Sequence, residues 1–382
     1  MLRRSVVLMI MLNIQYFCSM KRILVILGLC CALSSWSQNG DLKVEIERII
    51  LHDTEISLDE TPGFIIGIVD QDSTYFVEFG TDIKGEKSTL NAYDIFEVGS
   101  ISKVFTSSLV SVLVEEGKIQ YEDKINEYLP EAYQNPRMDD VSILNLLQHT
   151  SGLPVRPYFF GLKERDPQNP YGYYDKTSLL SFYVDFVPKN IGDFNYAHTN
   201  YGLLEIVLEN ATQMSFDQLM DIYIFKPLEM RNSFVFFRER KEDVVTPGYD
   251  RAGRETNPWT FSSFGASEGV KTSALDLVNF MRVNLGLTDH PYANIFAINH
   301  KKEIETDFNP SIRTGRGWQI IDQRSGYDII THNGKTNGHN AFISFVKETG
   351  TGVIVLSNSN IGTRDLGFLI LRMINFNWKR KA

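Results

Sequence analysis

Ser100 and Lys103, three residues apart, have the residue types and spacing of a nucleophile and its base. A serine hydroxyl becomes a useful nucleophile when a neighbouring base takes its proton. The apolar residues from Ile101 to Leu113 recur at helical spacing until Gly117, so positions i and i+3 lie on one face of the predicted helix. The pair is therefore a candidate for serine catalysis assisted by a lysine.

The position of Ser100 at a predicted helix start adds to this chemistry. Unpaired N–H groups and the helix dipole favour a developing oxyanion there, and the same field, together with burial, disfavours a charged lysine. We therefore expect part of Lys103 to be a neutral amine that accepts the Ser100 proton. The S-x-x-K pattern alone is also typical of a capping serine followed by an exposed lysine. A second match, Ser344 with Lys347, lies in an alternating strand pattern, where residues three apart point to opposite faces.

The elements around this motif predict an α+β fold. Strand-like segments lie near both ends of the chain, a closing helix follows the last of them, and helical periodicity with polar loops fills the middle. We expect an antiparallel sheet built from both chain ends and flanked by helices, with an inserted, mostly helical subdomain. The strand-like segments are residues 63–69, 74–79, 339–346 and 352–356, the closing helix is 363–376, and a further helix is expected at 44–51.

Further segments reproduce, in order, the landmarks of one family. They follow the serine motif at residues 117–130, 146–153, 196–204, 227–230, 271–277, 317–318, 332–338 and 352–358. With them the chain resembles the class C β-lactamases and the related D,D-peptidases and esterases of the serine β-lactamase and penicillin-binding protein group. The resemblance covers about residues 62–371, most of the chain. It implies the fold of that group and an acyl-enzyme mechanism.

The resemblance also implies roles for individual residues. Ser100 matches the acylated nucleophile, Lys103 its proton acceptor, and Tyr196 the tyrosine that shares proton transfer and activates the deacylating water. His332-Asn333-Gly334 matches the third motif, on an edge strand that faces the nucleophile, where Gly334 leaves room for the acyl substrate. The backbone N–H groups of Lys335 and Ser100 are then expected to form the oxyanion hole.

Two residues depart from the family pattern. His198 replaces the asparagine of the usual Tyr-x-Asn motif, which orients the lysine and the substrate amide, and His332 stands where strong β-lactamases carry lysine. An imidazole titrates near neutral pH, so we expect carboxylate recognition by His332 to depend on pH. The competing assignment is that Lys335 holds the carboxylate.

These departures order the expected functions. The first is a serine hydrolase of D-amino-acid peptides or esters of the cell-wall type, similar to a D,D-carboxypeptidase, with weak β-lactam hydrolysis. The second is a true class C-like β-lactamase. The third is a penicillin-binding or peptidoglycan-sensing protein without turnover. The expected partner in each case is a small molecule or a peptidoglycan-type peptide.

The first 37 residues have the features of an export leader. They contain basic residues, no acid and two apolar runs, and the stronger signal begins at Met20, an alternative start, and ends at a small-x-small site, Ser35-Trp36-Ser37. We expect a mature chain from about Gln38 that is periplasmic or secreted, and membrane-bound only if the leader is uncleaved. Residues 38–382 are expected to form a single catalytic domain, with a sheet subdomain at 38–95 and 310–382 and a helical subdomain at about 100–300.

Composition excludes several other chemistries. All three cysteines, Cys18, Cys30 and Cys31, lie in the leader, so thiolate catalysis and disulfides are not expected in the mature chain. The net charge of −9 becomes more negative without the basic leader, which argues against a nucleic-acid partner. The histidines lack metal-ligand spacing, and we expect no metal and no cofactor.

Overall fold

The computed structural model describes residues 41–57, 61–86, 88–158, 160, 169–237, 244–323, 326–360 and 362–376. The predicted leader, residues 1–37, lies outside these ranges. Helix α1, at residues 41–53, belongs to a unit that ends at Asp53, and the elements described below belong to a second unit that begins at Thr54.

An eight-stranded antiparallel sheet forms the frame of the second unit. Its strands are β1 Gly63–Asp70, β2 Ser73–Gly80, β7 Ile304–Glu305, β8 Ile312–Thr314, β9 Gln319–Asp322, β10 Asp328–Lys335, β11 Asn340–Val346 and β12 Thr351–Ser357. Their order across the sheet is β2-β1-β12-β11-β10-β9-β8-β7, so the first hairpin of the chain pairs with the last strand, for example through Ile66 and Val355. The predicted sheet from both ends of the chain is confirmed. Two further sheets have two strands each: β3 Ile95–Glu97 pairs with β6 Lys271–Ser273, and β4 Gly248–Tyr249 pairs with β5 Glu255–Thr256.

Along the chain, most of the helices lie between the first hairpin and strand β7, and one helix follows the last strand. They are α2 Ser102–Glu115, α3 Ile143–Leu147, α4 Lys176–Asp185, α5 His198–Thr212, α6 Phe216–Met220, α7 Gly265–Glu268, α8 Ala274–Leu285, α9 Tyr292–Ala297 and α10 Arg364–Phe376. Helix α8 packs on β1 and β12, and α10 packs on β11 and β12. The central strands β11 and β12 are buried along their whole length, and most of their residues are apolar.

Helix α2 lies in the interior of the second unit. Its residues from Ser102 to Leu113 are all buried, and it packs against α6, α7 and α9. The hydroxyl groups of Thr106, Ser107 and Ser108 donate to carbonyl oxygens one turn earlier, so these polar side chains are satisfied inside the protein. The same burial places Lys103 away from bulk water. The α-helix begins two residues later than Ser100, which lies in a preceding 3₁₀ turn, Gly99–Ile101. Within the part of the chain that the structure describes, no helix has the length and apolar character needed to cross a membrane.

Candidate active site

Two glycines bring the Ser100 turn against strand β10. Gly99 has a φ of +49°, and a Cβ atom there would lie 2.7 Å from the backbone nitrogen of Lys335. A Cβ atom on Gly334 would lie 1.9 Å from the carbonyl oxygen of Val98 and 2.8 Å from the Ser100 nitrogen. Only residues without a side chain permit this approach. It places the backbone of Ser100 beside that of Lys335, the two donors assigned to the oxyanion hole from the sequence.

Gly334→Ala tests the importance of this close approach. The added methyl group must push β10 away from the serine turn, because the atoms it meets belong to the backbone. We expect acylation of Ser100 by an activated ester to slow about 10²–10³-fold, the usual effect of losing one oxyanion donor. Stopped-flow measurement of acylation checks this, with Gly362→Ala as a control because a Cβ atom there meets nothing within 4 Å and its φ is not positive. Acylation at the wild-type rate in Gly334→Ala would contradict the proposed placement of the oxyanion hole.

Lys103 reaches the Ser100 hydroxyl from one helical turn away. Its Nζ atom lies 3.2 Å from Ser100 Oγ and 3.1 Å from the carbonyl oxygen of Ser267, and the side chain is 0% exposed. The spacing of the motif thus gives direct contact between the two side chains. In the second match to the pattern, the Ser344 hydroxyl does not pair with its lysine but donates to the carbonyl oxygen of Ile330 inside the sheet.

Glu268, which sequence reasoning missed, joins both members of this pair. Its Oε1 atom accepts a hydrogen bond from Ser100 Oγ at 2.7 Å and an ion-pair contact from Lys103 Nζ at 2.8 Å. The carboxylate is only 2% exposed, at the end of the short helix α7. Burial alone raises the pKa of Glu268, but the Lys103 ammonium and His198 outweigh burial and hold this pKa far below its ordinary value. Glu268 is therefore ionised.

This carboxylate changes the expected charge state around the nucleophile. The sequence predicted burial and a helix-start field around Lys103, both of which favour a neutral amine. The structure adds a buried negative charge at 2.8 Å, which favours the ammonium. Lys103 and Glu268 thus make a buried ion-pair contact next to the Ser100 hydroxyl, which the local sequence pattern did not predict.

His198, the first residue of α5, also contacts Glu268. Its Nδ1 atom lies 2.5 Å from Glu268 Oε1 and 3.3 Å from Lys103 Nζ. Burial and the nearby Lys103 charge lower the pKa of His198, while Glu268 opposes them. The ring is therefore neutral at pH 7. The sequence predicted that His198 would replace an amide near the lysine, and the structure places it there.

Tyr196 lies against the same lysine. The centroid of its ring is 5.3 Å from Lys103 Nζ and 5.5 Å from the centroid of the His198 ring. Buried His149 stacks on Tyr196 at 4.5 Å and accepts a hydrogen bond from the backbone of Ala197. Burial, with Lys103 nearby, lowers the pKa of His149 well below its ordinary value, so this neutral ring supports the Tyr196 segment.

His332 and Lys335 both lie on strand β10. His332 is 3% exposed, and its Nδ1 atom is 2.8 Å from the carbonyl oxygen of Asn333. Burial and the Lys103 charge lower the pKa of His332 to about 3, so the ring is neutral at every ordinary working pH. The predicted titration of His332 near neutral pH therefore loses its physical basis, because burial, which depends on tertiary packing, dominates. Lys335 is exposed at the end of the strand.

A cleft of about 630 Å³ opens above Ser100. It contains all the predicted site residues except buried Lys103, which lies behind Ser100 and Glu268. Sequence reasoning missed its aromatic wall and one of its cations, Arg156. The residues lining it are Ser100, Arg156, Pro170, Tyr171, Tyr196, His198, Trp259, Glu268, Phe308, Gln319, His332, Asn333, Gly334, Lys335, Thr336, Asn337 and Asn360.

A second buried carboxylate, Glu97, holds two loops of this cleft. It accepts hydrogen bonds from the backbone N–H of Trp259 at 2.6 Å and from Thr336 Oγ1 at 2.8 Å. His339 Nδ1 lies 3.3 Å from the same carboxylate. Although burial opposes it, His339 lowers the pKa of Glu97, which is consistent with an ionised group. Glu97 thus fixes the positions of two loops that form opposite parts of the cleft wall.

One signal in the sequence pointed to Glu268. It is the only acid in the otherwise small and apolar run from Phe264 to Val270, just before the landmark at Lys271. An acid in a stretch that packs into the interior needs a partner, because an unpaired buried charge is costly. The identity of the partner depends on the fold and was not contained in the local pattern. Within the described residues, no group of three or more acidic, histidine or cysteine side chains is arranged to hold a metal ion.

Comparison with known proteins agrees with this geometry. The family model described as Beta-lactamase matches residues 51–373. A β-lactamase of Pseudomonas fluorescens is 23% identical over 333 residues, covering 78% of this chain and 88% of that protein. A β-lactamase of Yersinia enterocolitica is 26% identical over 341 residues, covering 78% of this chain and 82% of that protein.

The fold also matches a solved structure. The crystal structure of a β-lactamase/D-alanine carboxypeptidase from Pseudomonas syringae superposes with a TM-score of 0.75 at 19% identity, covering 89% of this chain and 99% of that one. This likeness confirms the α+β fold. Together with the match of the family model over most of the chain, it leads to one conclusion: the chain belongs to the β-lactamase family and is a serine hydrolase.

Proposed function

We propose that this hydrolase acts through an acyl-enzyme on Ser100, on D-amino-acid peptides or esters of the cell-wall type, with weak β-lactam hydrolysis. The observation that carries the proposal is the contact of Ser100 Oγ with Lys103 Nζ, at 3.2 Å, beneath an open cleft. Ser100 Oγ forms a bond to the substrate carbonyl carbon as Lys103, the assigned proton acceptor, takes the hydroxyl proton. The bond from this carbon to the leaving amine or alcohol then breaks, and the leaving group takes up the same proton. Water then releases the acyl group. The N–H groups of Ser100 and Lys335 are the proposed oxyanion donors.

The side chains around the nucleophile favour a peptidase or esterase over a strong β-lactamase. His332 is neutral where strong β-lactamases carry a lysine, and His198 replaces the amide of the second motif. Both changes remove groups that the family pattern connects with β-lactam turnover. The dual name of the Pseudomonas syringae protein, β-lactamase/D-alanine carboxypeptidase, is compatible with an enzyme of mixed activity.

A free carboxylate on the substrate needs a cation, and neutral His332 does not supply one. Among the described residues that line the cleft, the cations are Arg156 and Lys335. Lys335 follows the third motif directly, on the strand beside Ser100. We therefore assign the carboxylate of a penicillin or of a C-terminal D-alanine to Lys335, the alternative left open by the sequence.

Lys335→Ala is expected to raise KM for a carboxylate-bearing substrate about 10–100-fold, the range of a lost charge-assisted hydrogen bond. KM for a neutral ester of similar size should change little. Because His332 stays neutral, KM of the wild type for the anionic substrate should be nearly constant from pH 5.5 to 7.5. Steady-state kinetics on both substrates check this, with Arg156→Ala as the matched control. A strong rise of KM with pH in the wild type would instead indicate that His332 binds the substrate carboxylate.

A panel of three substrates tests the proposed specificity. A D-Ala-D-Ala peptide, a small chromogenic ester and a penicillin are incubated with the protein, while product and intact mass are followed. We expect turnover of the peptide or the ester to exceed that of the penicillin. Faster turnover of the penicillin would favour the class C-like β-lactamase. A stable acyl-enzyme with all three, without turnover, would favour a penicillin-binding or peptidoglycan-sensing protein.

We further propose that the protein is exported to the periplasm or secreted. The support is the sequence of the first 37 residues, with its basic start, apolar run and small-x-small site. This location also agrees with a cell-wall type of substrate. Mass spectrometry of the N-terminus after expression in the native host tests it, with Gln38 as the expected first residue. An intact N-terminus would contradict cleavage of the leader.

A further inference from the structure

Three close hydrogen-bond donors converge on one oxygen of Glu268, and the Ser267 hydroxyl is a fourth, longer one at 3.4 Å. Ser100 Oγ, Lys103 Nζ and His198 Nδ1 lie 2.7, 2.8 and 2.5 Å from Oε1. Since the carboxylate is ionised, the short contact with His198 requires the ring proton to lie on Nδ1. In a neutral imidazole with its proton on Nδ1, the other nitrogen, Nε2, keeps a free lone pair. Glu268 thus sets the tautomer that makes Nε2 of His198 a proton acceptor.

Lys103 is less suited to accept a proton from water in this arrangement. An ammonium has three protons, and the structure supplies three oxygen acceptors for them. These are Ser100 Oγ at 3.2 Å, Glu268 Oε1 at 2.8 Å and the Ser267 carbonyl oxygen at 3.1 Å. Its side chain is also 0% exposed and does not line the cleft, so it is poorly placed to meet a water that attacks the acyl group. Another group has to activate the water that releases the acyl chain.

His198 is placed where such a water can reach it. Its side chain is 14% exposed, and it lines the cleft together with Ser100. All the polar contacts of its ring within the described residues are made through Nδ1, to Glu268, Lys103 and Ser267. The ring is thus anchored on one nitrogen, while the cleft gives access to its other edge.

We propose that His198 is the general base that activates the deacylating water, and that Glu268 is the positioning residue that fixes its tautomer. This inference rests on the proposed function, since it concerns the second half of the same acyl-enzyme cycle. The family resemblance assigns this step to Tyr196, which is the competing base. From the sequence, the histidine at the asparagine position of the Tyr-x-Asn pattern was interpreted as the loss of an orienting amide. In the proposed mechanism this histidine takes over the role of base from Tyr196.

The proposed step conserves atoms and charge. Nε2 takes one proton from water as the water oxygen forms a bond to the acyl carbon, and the carbonyl electrons move onto the carbonyl oxygen. The carbonyl then re-forms as the bond between the acyl carbon and Ser100 Oγ breaks. Oγ receives the proton held by the imidazolium, which restores neutral His198. The products are free Ser100 and a carboxylic acid.

His198→Asn separates the two halves of the cycle. The substitution restores the residue usual in the family but removes the base. With an activated ester we expect deacylation to slow about 10²–10⁴-fold, the usual contribution of a general base, and acylation to slow much less. The acyl-enzyme should then accumulate, visible by intact mass and as a full pre-steady-state burst. Tyr196→Phe, measured in parallel, should show a smaller effect on deacylation.

Chemical rescue keeps the test independent of folding. His198→Ala leaves space for a small base, so added imidazole should restore deacylation in proportion to its concentration, which a merely structural role of His198 would not produce. Glu268→Gln should slow deacylation in the same direction as His198→Asn, because an amide can present either its oxygen or its NH₂ group to Nδ1 and so no longer selects the required tautomer.

The pH dependence of deacylation supplies a second readout. The wild-type rate should fall on the acid side as His198 gains a proton, below pH 6.5 because burial and Lys103 lower its pKa. This acid limb should vanish in His198→Asn. The charged or titratable groups that face His198 are Glu268, Lys103, Arg156, His149, His332 and Tyr196.

Two outcomes overturn the inference. In one, His198→Asn releases the acyl group as fast as the wild type. In the other, Tyr196→Phe accumulates the acyl-enzyme while His198→Asn does not. Both leave the proposed function intact, because Ser100 is still acylated. If neither the wild type nor the variants form an adduct on Ser100, the proposed function itself fails.

Discussion

Ser100→Ala is expected to hydrolyse an activated ester at least about 10⁴-fold more slowly than the wild type. Nucleophile and base act as a unit, so removal of the hydroxyl abolishes the acyl-enzyme route and leaves only binding and oxyanion stabilisation. The Ser100 hydroxyl contacts both Lys103 and Glu268, and an alanine side chain makes neither contact. Measurement of kcat/KM with a chromogenic ester checks this.

The chain offers a matched control in its second S-x-x-K match. The Ser344 hydroxyl is buried in β11 and donates to the Ile330 carbonyl oxygen, away from the cleft. We expect Ser344→Ala to keep kcat/KM within a few-fold of the wild type. If Ser100→Ala retained comparable activity, or if Ser344→Ala lost it with the fold intact, the assignment of the nucleophile would be wrong.

Lys103→Met is expected to remove activity and to destabilise the protein. Lys103 and Glu268 are 0% and 2% exposed, so loss of the lysine leaves a buried carboxylate without its cation. The remaining partners are His198 and the hydroxyl groups of Ser100 and Ser267. Breaking a buried ion pair on one side costs about 3–5 kcal/mol of unfolding free energy. We expect a loss in this range by urea denaturation, together with about 10³-fold or greater loss of acylation.

The double variant Lys103→Met, Glu268→Gln separates the two effects. It removes the stranded charge, so it should recover most of the unfolding free energy without recovering activity. The Glu268 pKa is lowered on folding, so the ion pair stabilises the wild type above the unfolded value near 4.5, and this stabilisation is lost as pH falls below it. Unchanged stability in Lys103→Met at pH 7, or retained acylation, would contradict the ion-pair account.

Local patterns predicted the parts of the molecule that depend on nearby residues. The β-rich runs at residues 63–69 and 74–79, on either side of a turn, predicted the first two strands, and the i, i+3 spacing predicted that Ser100 and Lys103 meet. Tyr196, His332 and Gly334 could be placed near them only through the order of family landmarks, because each lies far away along the chain.

The charge states of the site could not be predicted in this way. Glu268 contacts Lys103 across 165 positions of the chain, and no local period records such a contact. His332 was expected to titrate near neutral pH, but the packing of β10 against the serine turn buries it beside Lys103. Both features arise from tertiary burial, which sets the electrostatic environment of each group.

Intact-mass analysis of the protein, rapidly quenched after mixing with a penicillin, tests the acyl-enzyme most directly. Opening of a β-lactam ring by a nucleophile retains the whole molecule, so we expect the mass to rise by that of the intact penicillin. Peptide mapping should locate the addition on Ser100, and Ser100→Ala should show none. An adduct on another residue of the wild type, or penicillin and ester turnover with no adduct at any quench time, would contradict an acyl-enzyme on Ser100.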